Sequence, residues 1–195
     1  LRRGANGRYR LTAHILRIGY PVLAQMRIRQ AARPLMRAFA EQTGGTVSLG
    51  VIDGLDAVYV ETVRPNETPE LPDIGLALPL TRAAIGRALL AMTPAAERRA
   101  LLARIRSERS AEWRTYGRDA ERAIADCAGR GFTTSPGGFR PEIHAVGAPL
   151  VTSADGEAIA INCGVPVYRL RRGELEAEIG PRLVALAAAI RALTG

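Results

Sequence analysis

The sequence predicts an α+β fold, with a central antiparallel sheet covered by helices. Three observations carry the α+β part. Two pairs of segments with an apolar period of two each straddle an Asp-Gly dipeptide: 46–52 and 57–63 around Asp53-Gly54, then 143–152 and 157–165 around Asp155-Gly156. Stretches of helical period lie between and outside these pairs, without the strand–helix–strand alternation of a parallel sheet. With 195 residues and 47% hydrophobic content, the chain can bury one real core and still carry an appendage.

Each element follows from local signals. Leu1-Arg2-Arg3 and Tyr9-Arg10-Leu11 flank Asn6-Gly7 as the arms of a tight hairpin would. Thr12 can cap a helix running to about Met26. That helix is apolar on nearly every side (Ile15, Leu16, Ile18, Tyr20, Val22, Leu23), so it calls for a partner along its length, and Gly19 and Pro21 predict a kink. A second helix is expected over 34–43, stopped by Gly44-Gly45. After the first hairpin comes a loop rich in Pro and acid, 64–73. "LPLTRAAIGRALLAMT" then reads as a strand end running into a helix that stops near Pro94. A helix from Pro94 and another over 117–130, ended by Gly131, precede the second hairpin. Residues 171–193 close the chain as helix, broken at Gly180-Pro181.

Charge is distributed unevenly. Residues 1–40 hold nine Arg and no acid, whereas the remaining 155 hold eighteen Arg against nineteen acids, so the net +8 belongs to the first forty. Such a patch points to polyanions, nucleic acid first, through counterion release. All 27 basic residues are Arg, which a biased codon usage would also produce, but that bias does not remove acids from one segment.

Several chemistries are disfavoured. Two His, at 14 and 144, and two Cys, at 127 and 163, form no close-spaced ligand set, so no metal is expected. No Gly-rich phosphate loop is present, no cofactor is implied, and no apolar run has the length of a membrane span. A cytoplasmic protein with no membrane contact is expected. A Cys163–His144 pair on the second hairpin fails on distance. If Asp155-Gly156 are its two turn residues, Ala148 faces Cys163 and His144 lies four residues along, roughly 13 Å away at about 3.4 Å per residue. That is beyond proton-transfer reach. No catalytic residue is assigned. Glu61 and His144 are the ones to alter if turnover were seen.

The same hairpin offers a binding surface instead. One face carries Val146, Ala148, Leu150, Ile159, Ile161, Cys163 and Val165, an ordinary core face. The other carries Ala145, Gly147, Ala158, Ala160, Asn162 and Gly164, small residues around one amide. Either a helix backbone approaches closely there, or the face floors a cavity with Asn162 as its polar contact. The segment after "LPL" adds an anion-ready feature. Thr81 precedes a helix whose first turn, Arg82-Ala83-Ala84-Ile85, has N–H groups without helical partners and small side chains around them.

Taken in order, "GRYRLT", "ARPLMRAFAEQTGGTVSLGVIDGLDAVYVETV", "LPLTRAAIGRALLA", "RGF" and "VGAPLVTSADGEAIAINCGVP" resemble the IclR family of bacterial transcription regulators, and the resemblance covers practically the whole chain. It implies a winged helix-turn-helix, a linker helix and an effector-binding domain with a GAF-like or profilin-like fold. On that pattern 1–11 is the remnant of the wing, 12–30 the linker helix and 31–195 the effector-binding domain, with the recognition helix outside this chain. The family's effector position carries over to Ala84, Ile85 and Gly86 at the helix start and to Ala145, Asn162 and Gly164 on the late strands, with Thr81 beside them. Many relatives have Cys where Ala145 stands and acidic or His residues where "SPGGF" (135–139) stands, implying a pocket that is roomier, more apolar, or open to a different acid.

The expected function is therefore the effector-sensing and oligomerisation domain of an IclR-type DNA-binding regulator. It would bind a small organic acid, aromatic acids included, and form a homodimer or tetramer, with DNA contacted by the missing N-terminal domain. Two alternatives remain: a nonspecific nucleic-acid binder using the Arg-rich start, and an enzyme acting on a small carboxylic acid.

Overall fold

The computed structural model describes residues 2–3, 6–65, 74–153 and 156–193. Expectations for Leu1, for most of the 64–73 loop and for Asp155 lie outside the described residues. Two short strands, β1 (Arg2–Arg3) and β2 (Tyr9–Arg10), pair antiparallel, with Arg3 opposite Tyr9, so the turn around Asn6-Gly7 is wider than two residues. A 3₁₀ turn, Ala13–Ile15, leads into α1 (Leu16–Gln25), and Thr12 serves through its backbone carbonyl rather than its side chain. The helix runs unbroken through Gly19 and Pro21. It breaks instead at Met26, whose backbone leaves helical geometry (φ −80°, ψ 76°).

From there α2 (Arg27–Thr43) starts well before the expected position and carries Pro34 in its interior. The predicted linker boundary at residue 30 thus falls inside one helix. Gly44, at φ 65°, stops α2 as read from the sequence.

The main sheet has six antiparallel strands in the order β5-β4-β3-β8-β7-β6: β3 (Thr46–Asp53), β4 (Asp56–Val63), β5 (Ala77–Pro79), β6 (Thr133–Pro136), β7 (Ile143–Thr152) and β8 (Ala158–Pro166). In the first hairpin Asp53 pairs with Asp56, so Gly54-Leu55, not Asp53-Gly54, are its turn residues. A bulge at Val60 sets Glu61 opposite Leu49. That turns the carboxylate to the α2 side, where Arg29 (3.2 Å) and Arg33 (2.7 Å) hold it. Glu61 is 3% exposed and therefore a structural ion-pair centre, not a base open to substrate.

The second hairpin departs from the predicted register by two residues. Ser153 pairs with Glu157 and accepts from the Gly156 N–H, one residue wider than a two-residue turn. A bulge between Pro149 and Val151 adds the second shift, so Cys163 faces Val146 and Ala148 faces Ile161. His144 is consequently two residues from Cys163's partner rather than four. The thiol nevertheless lies against the Thr43 hydroxyl (3.6 Å), and burial pushes it up to about 12, which leaves it no role as a nucleophile. A two-residue slip preserves which side chains share a face. All seven predicted core-face residues accordingly belong to one buried cluster with α2 and α6 (Gly180–Ala192).

The opposite face is covered by α3 (Ala84–Met92), with α4 (Ala95–Glu108) and α5 (Ser110–Arg130) outside it. Helix α5 begins seven residues earlier than expected, at Ser110, and Gly131 stops it at φ 75°. Before α6, residues Leu175–Ile179 form a wider π-type turn, placing the break one residue before Gly180. In contrast to this packed body, Ile15, Leu16, Ile18, Tyr20 and Val22 around α1 are 47% to 67% exposed.

Candidate functional site

The hollow face of β7–β8 has two halves, and each of the two explanations for its small residues holds in one of them. At Gly147 a helix comes close. A Cβ there would fall 2.6 Å from the Ala84 carbonyl carbon and 2.9 Å from the Ile85 nitrogen, so only Gly admits the start of α3. Ile85 fills the adjacent space over Gly50 and is fully buried. Further along the strands, beyond the start of α3, the face is uncovered and floors a cavity that is open to solvent.

The cavity draws its lining from four directions. Ala145 of β7, Asn162 and Gly164 of β8 and Thr46 of β3 form the floor. Tyr59 of β4 with Leu76 and Leu78 makes an apolar wall, Ser135, Phe139 and Arg140 the opposite one, and Ala83 and Ala84 the end beneath α3. At the centre the Asn162 side-chain N–H donates to the Tyr59 hydroxyl (3.0 Å), while Asn162 Oδ1 is buried without a protein partner. The Tyr59 ring borders the cavity, but its hydroxyl is deep enough that burial pushes it up to about 12, partly countered by hydrogen bonds from Asn162 and Ser48. Arg140 supplies a cation at the rim, near the Phe139 ring (5.9 Å).

Helix α3 begins later than the sequence suggested. Arg82 and Ala83 both donate their N–H to the Pro79 carbonyl at 3.1 Å, and the first helical bond runs from Arg87 to Ala83. Ala83, extended and without a side-chain cap, is the N-cap, so the N–H groups of Ala84, Ile85 and Gly86 have no acceptor within the helix. Thr81 is not the cap. It is fully buried and its hydroxyl donates to the Glu112 carboxylate, tying α3 to α5. Of the seven residues nominated from the sequence, the cavity brings together Ala84, Ala145, Asn162 and Gly164. Thr81, Ile85 and Gly86 do not line it. Ile85 points into the core, and Gly86 packs so closely on Leu80 that a Cβ there would fall 2.5 Å from the Leu80 Cα.

Tyr59, Leu76, Leu78, Arg140 and Ile143 are lining residues the sequence reading missed. The departure at 135–139 was a usable signal, since Ser135 and Phe139 both reach the cavity. Among the described residues no group of three or more His, Cys, Asp or Glu could hold a metal ion, and no helix is long and apolar enough to cross a membrane.

The family described as "Bacterial transcriptional regulator IclR C-terminal" matches residues 20–192. The crystal structure of an IclR family transcriptional regulator from Brucella abortus is similar over 98% of this chain and 73% of its own, at 34% identity and a TM-score of 0.89. An IclR homolog from Microbacterium hydrocarbonoxydans, solved in complex with 4-hydroxybenzoate, shares the fold at 19% identity and a TM-score of 0.71, over 98% of this chain and 78% of its own. Among curated proteins, the HTH-type transcriptional regulator TsaQ1/TsaQ2 of Comamonas testosteroni is 25% identical over 88% of this chain, which spans 63% of that protein's length.

Proposed function

The chain belongs to the IclR family of bacterial transcriptional regulators, as its effector-binding domain rather than an enzyme, and from that premise we propose that it senses a small organic acid and passes its presence to a DNA-binding module. The observation that carries this reading is the cavity itself. It joins an Arg140 cation and the positive start of α3 to apolar walls and one central amide, a lining suited to a carboxylate on a compact apolar or aromatic body. The acid group sits at the Ala83–Ala84 and Arg140 end, and Asn162 orients the far end. The 4-hydroxybenzoate held by the Microbacterium relative fits the same description.

Residues 12–30 act in this proposal as the linker and 31–195 as the sensing domain, with 1–11 the edge of the DNA-binding unit, working in the cytoplasm. The exposed apolar surface of α1 packs on a second copy to give a homodimer or a tetramer. Binding shifts the spacing of the DNA-reading units by a coupling of about 1–3 kcal/mol. A second reading is favoured by one observation: Arg2, Arg3, Arg8, Arg10 and Arg17 are all exposed, as a nonspecific nucleic-acid contact requires. That reading predicts binding lost steeply with salt and on deletion of residues 1–12.

The deciding experiment is a thermal-shift screen of the purified chain against small carboxylic acids, with Asn162→Leu alongside. A ligand at about a hundred times its dissociation constant adds nearly 3 kcal/mol of stability. A shift lost in the variant supports the proposal. A folded sample that responds to no acid defeats it.

A further inference from the structure

Arg87 stands on the side of α3 turned away from the effector cavity. It is only 4% exposed, and its protein partners are neutral: Nε donates to the Thr81 carbonyl (2.8 Å) and Nη1 to the Thr134 carbonyl (2.6 Å). Among the described residues no carboxylate lies within 4.0 Å of it. Burial draws its pKa below the usual guanidinium value, against the opposing pull of Asp119 and Tyr116. An arginine nevertheless keeps its proton in a protein, so a cation here has only carbonyls as hydrogen-bond partners. Buried charges are ordinarily paired, because an unpaired one forfeits its hydration without compensation.

The unpaired edge has somewhere to point. Among the described residues Nη2 has no protein acceptor, yet it is not sealed off, and Arg87 lines an open groove between α5 and β6. Thr133 and Thr134 lie beside it on the floor and Tyr116 forms one flank. The α5 rim carries Asp119, Arg122, Asp126 and Arg130, all exposed, with Arg122 and Asp119 already 3.8 Å apart. Exposed charges of alternating sign largely cancel and are screened by salt, which leaves the buried guanidinium as the dominant charge of the groove.

We propose that this groove is a second ligand site, in which the free Nη edge of Arg87 takes the terminal oxyanion, phosphate or carboxylate, of a small molecule. The planar fork of a guanidinium matches two oxygens of either group. The site is separate from the effector cavity but shares the wall residue Ser135 with it. An anion on Arg87 fixes the guanidinium that also holds Thr134, and so steadies β6 from its outer side.

The test measures thermal unfolding and amide hydrogen exchange of the whole chain in phosphate, acetate and chloride at matched pH and ionic strength. Phosphate or acetate is expected to raise the midpoint saturably where chloride does not, and to slow exchange at 133–136 and 116–130. Phosphate acting alone identifies a phosphoryl ligand, acetate acting alone a carboxylate. Acetate can also enter the first cavity, so both salts are repeated on Asn162→Leu, in which the groove response persists. Arg87→Lys, which keeps the charge and loses the fork, should weaken binding at least about ten-fold. An equal response to chloride, protection confined to the effector cavity, or undiminished affinity in Arg87→Lys overturns the proposal. Should the Lys variant not fold, the exchange map of the unaltered chain decides.

Discussion

The two faces of the β7–β8 hairpin are built from the same two strands and have opposite characters. Toward α2 and α6, Val146, Ala148, Ile161, Cys163 and Val165 are all at most 1% exposed and belong to one continuous core. Toward α3, the residues are small, and the space they leave is occupied by helix backbone at Gly147, whereas Ala145, Asn162 and Gly164 line the open cavity. The difference teaches that small side chains on a sheet do not by themselves make a pocket. A pocket appears where the covering helix ends, and α3 starts at Ala84, in line with Gly147.

That contrast can be probed by substitution. On the core face, Ile161→Ala removes a fully buried side chain and should lower unfolding stability by about 4 kcal/mol, read from the midpoint in denaturant. On the helix-covered half, Gly147→Val must displace the backbone at Ala84 and should remove about 3 kcal/mol by the same measurement. On the open half, Gly164→Ala meets only the Ile143 Cγ2 at 3.2 Å. Its stability should stay within about 1 kcal/mol of the parent, while calorimetric titration shows weaker acid binding. If Gly164→Ala proved as damaging as Gly147→Val, the division of this face into two halves would be wrong.

Proton linkage leaves stability at neutral pH untouched and acts only in alkaline solution. Burial raises both Cys163, from 9.0, and Tyr59, from 10.0, to about 12. The folded state then holds protons that the unfolded chain releases, so stability is complete below about pH 9 and falls as pH rises toward 12. Thermal midpoints measured from pH 7 to 11 should decline from about pH 9 in the parent. In Cys163→Ala the decline should begin about one unit later, where Tyr59 alone contributes.

Much of the fold was legible because its signals are local. Gly44 and Gly131 end helices where the sequence placed their ends, and the faces of β7 and β8 follow from a period of two that no even register slip disturbs. What failed depends on partners far along the chain. The bulge at Val60 and the role of Glu61 are set by Arg29 and Arg33 of α2. Thr81 looks like a helix cap until Glu112 arrives from α5. Strand β6, four residues with a Pro, carries too little pattern to be read as a strand, and it exists because β7 offers an edge. Of the site, the floor was legible, since it lies on one hairpin. The walls were not. Tyr59 reaches Asn162 only because β3 is inserted between β4 and β8, a pairing across more than a hundred residues that no local spacing encodes.

Strand β6 is also the rim of the sheet, with a ladder on one side only. Beyond that ladder, the Thr133 and Ser135 hydroxyls donate to the Ala84 and Arg82 carbonyls, and guanidinium bonds run from Arg87 to Thr134 and from Arg82 to Gly138 (2.8 Å) and Phe139 (3.4 Å) in the turn that follows. In the proposed sensing role, a guest entering past this wall would cross a barrier set by a few bonds to backbone carbonyls, whereas its equilibrium preference would be set by the floor. Residence time and affinity would then be separable, and substitution at Arg82 would lengthen or shorten a signal without changing which molecule sends it.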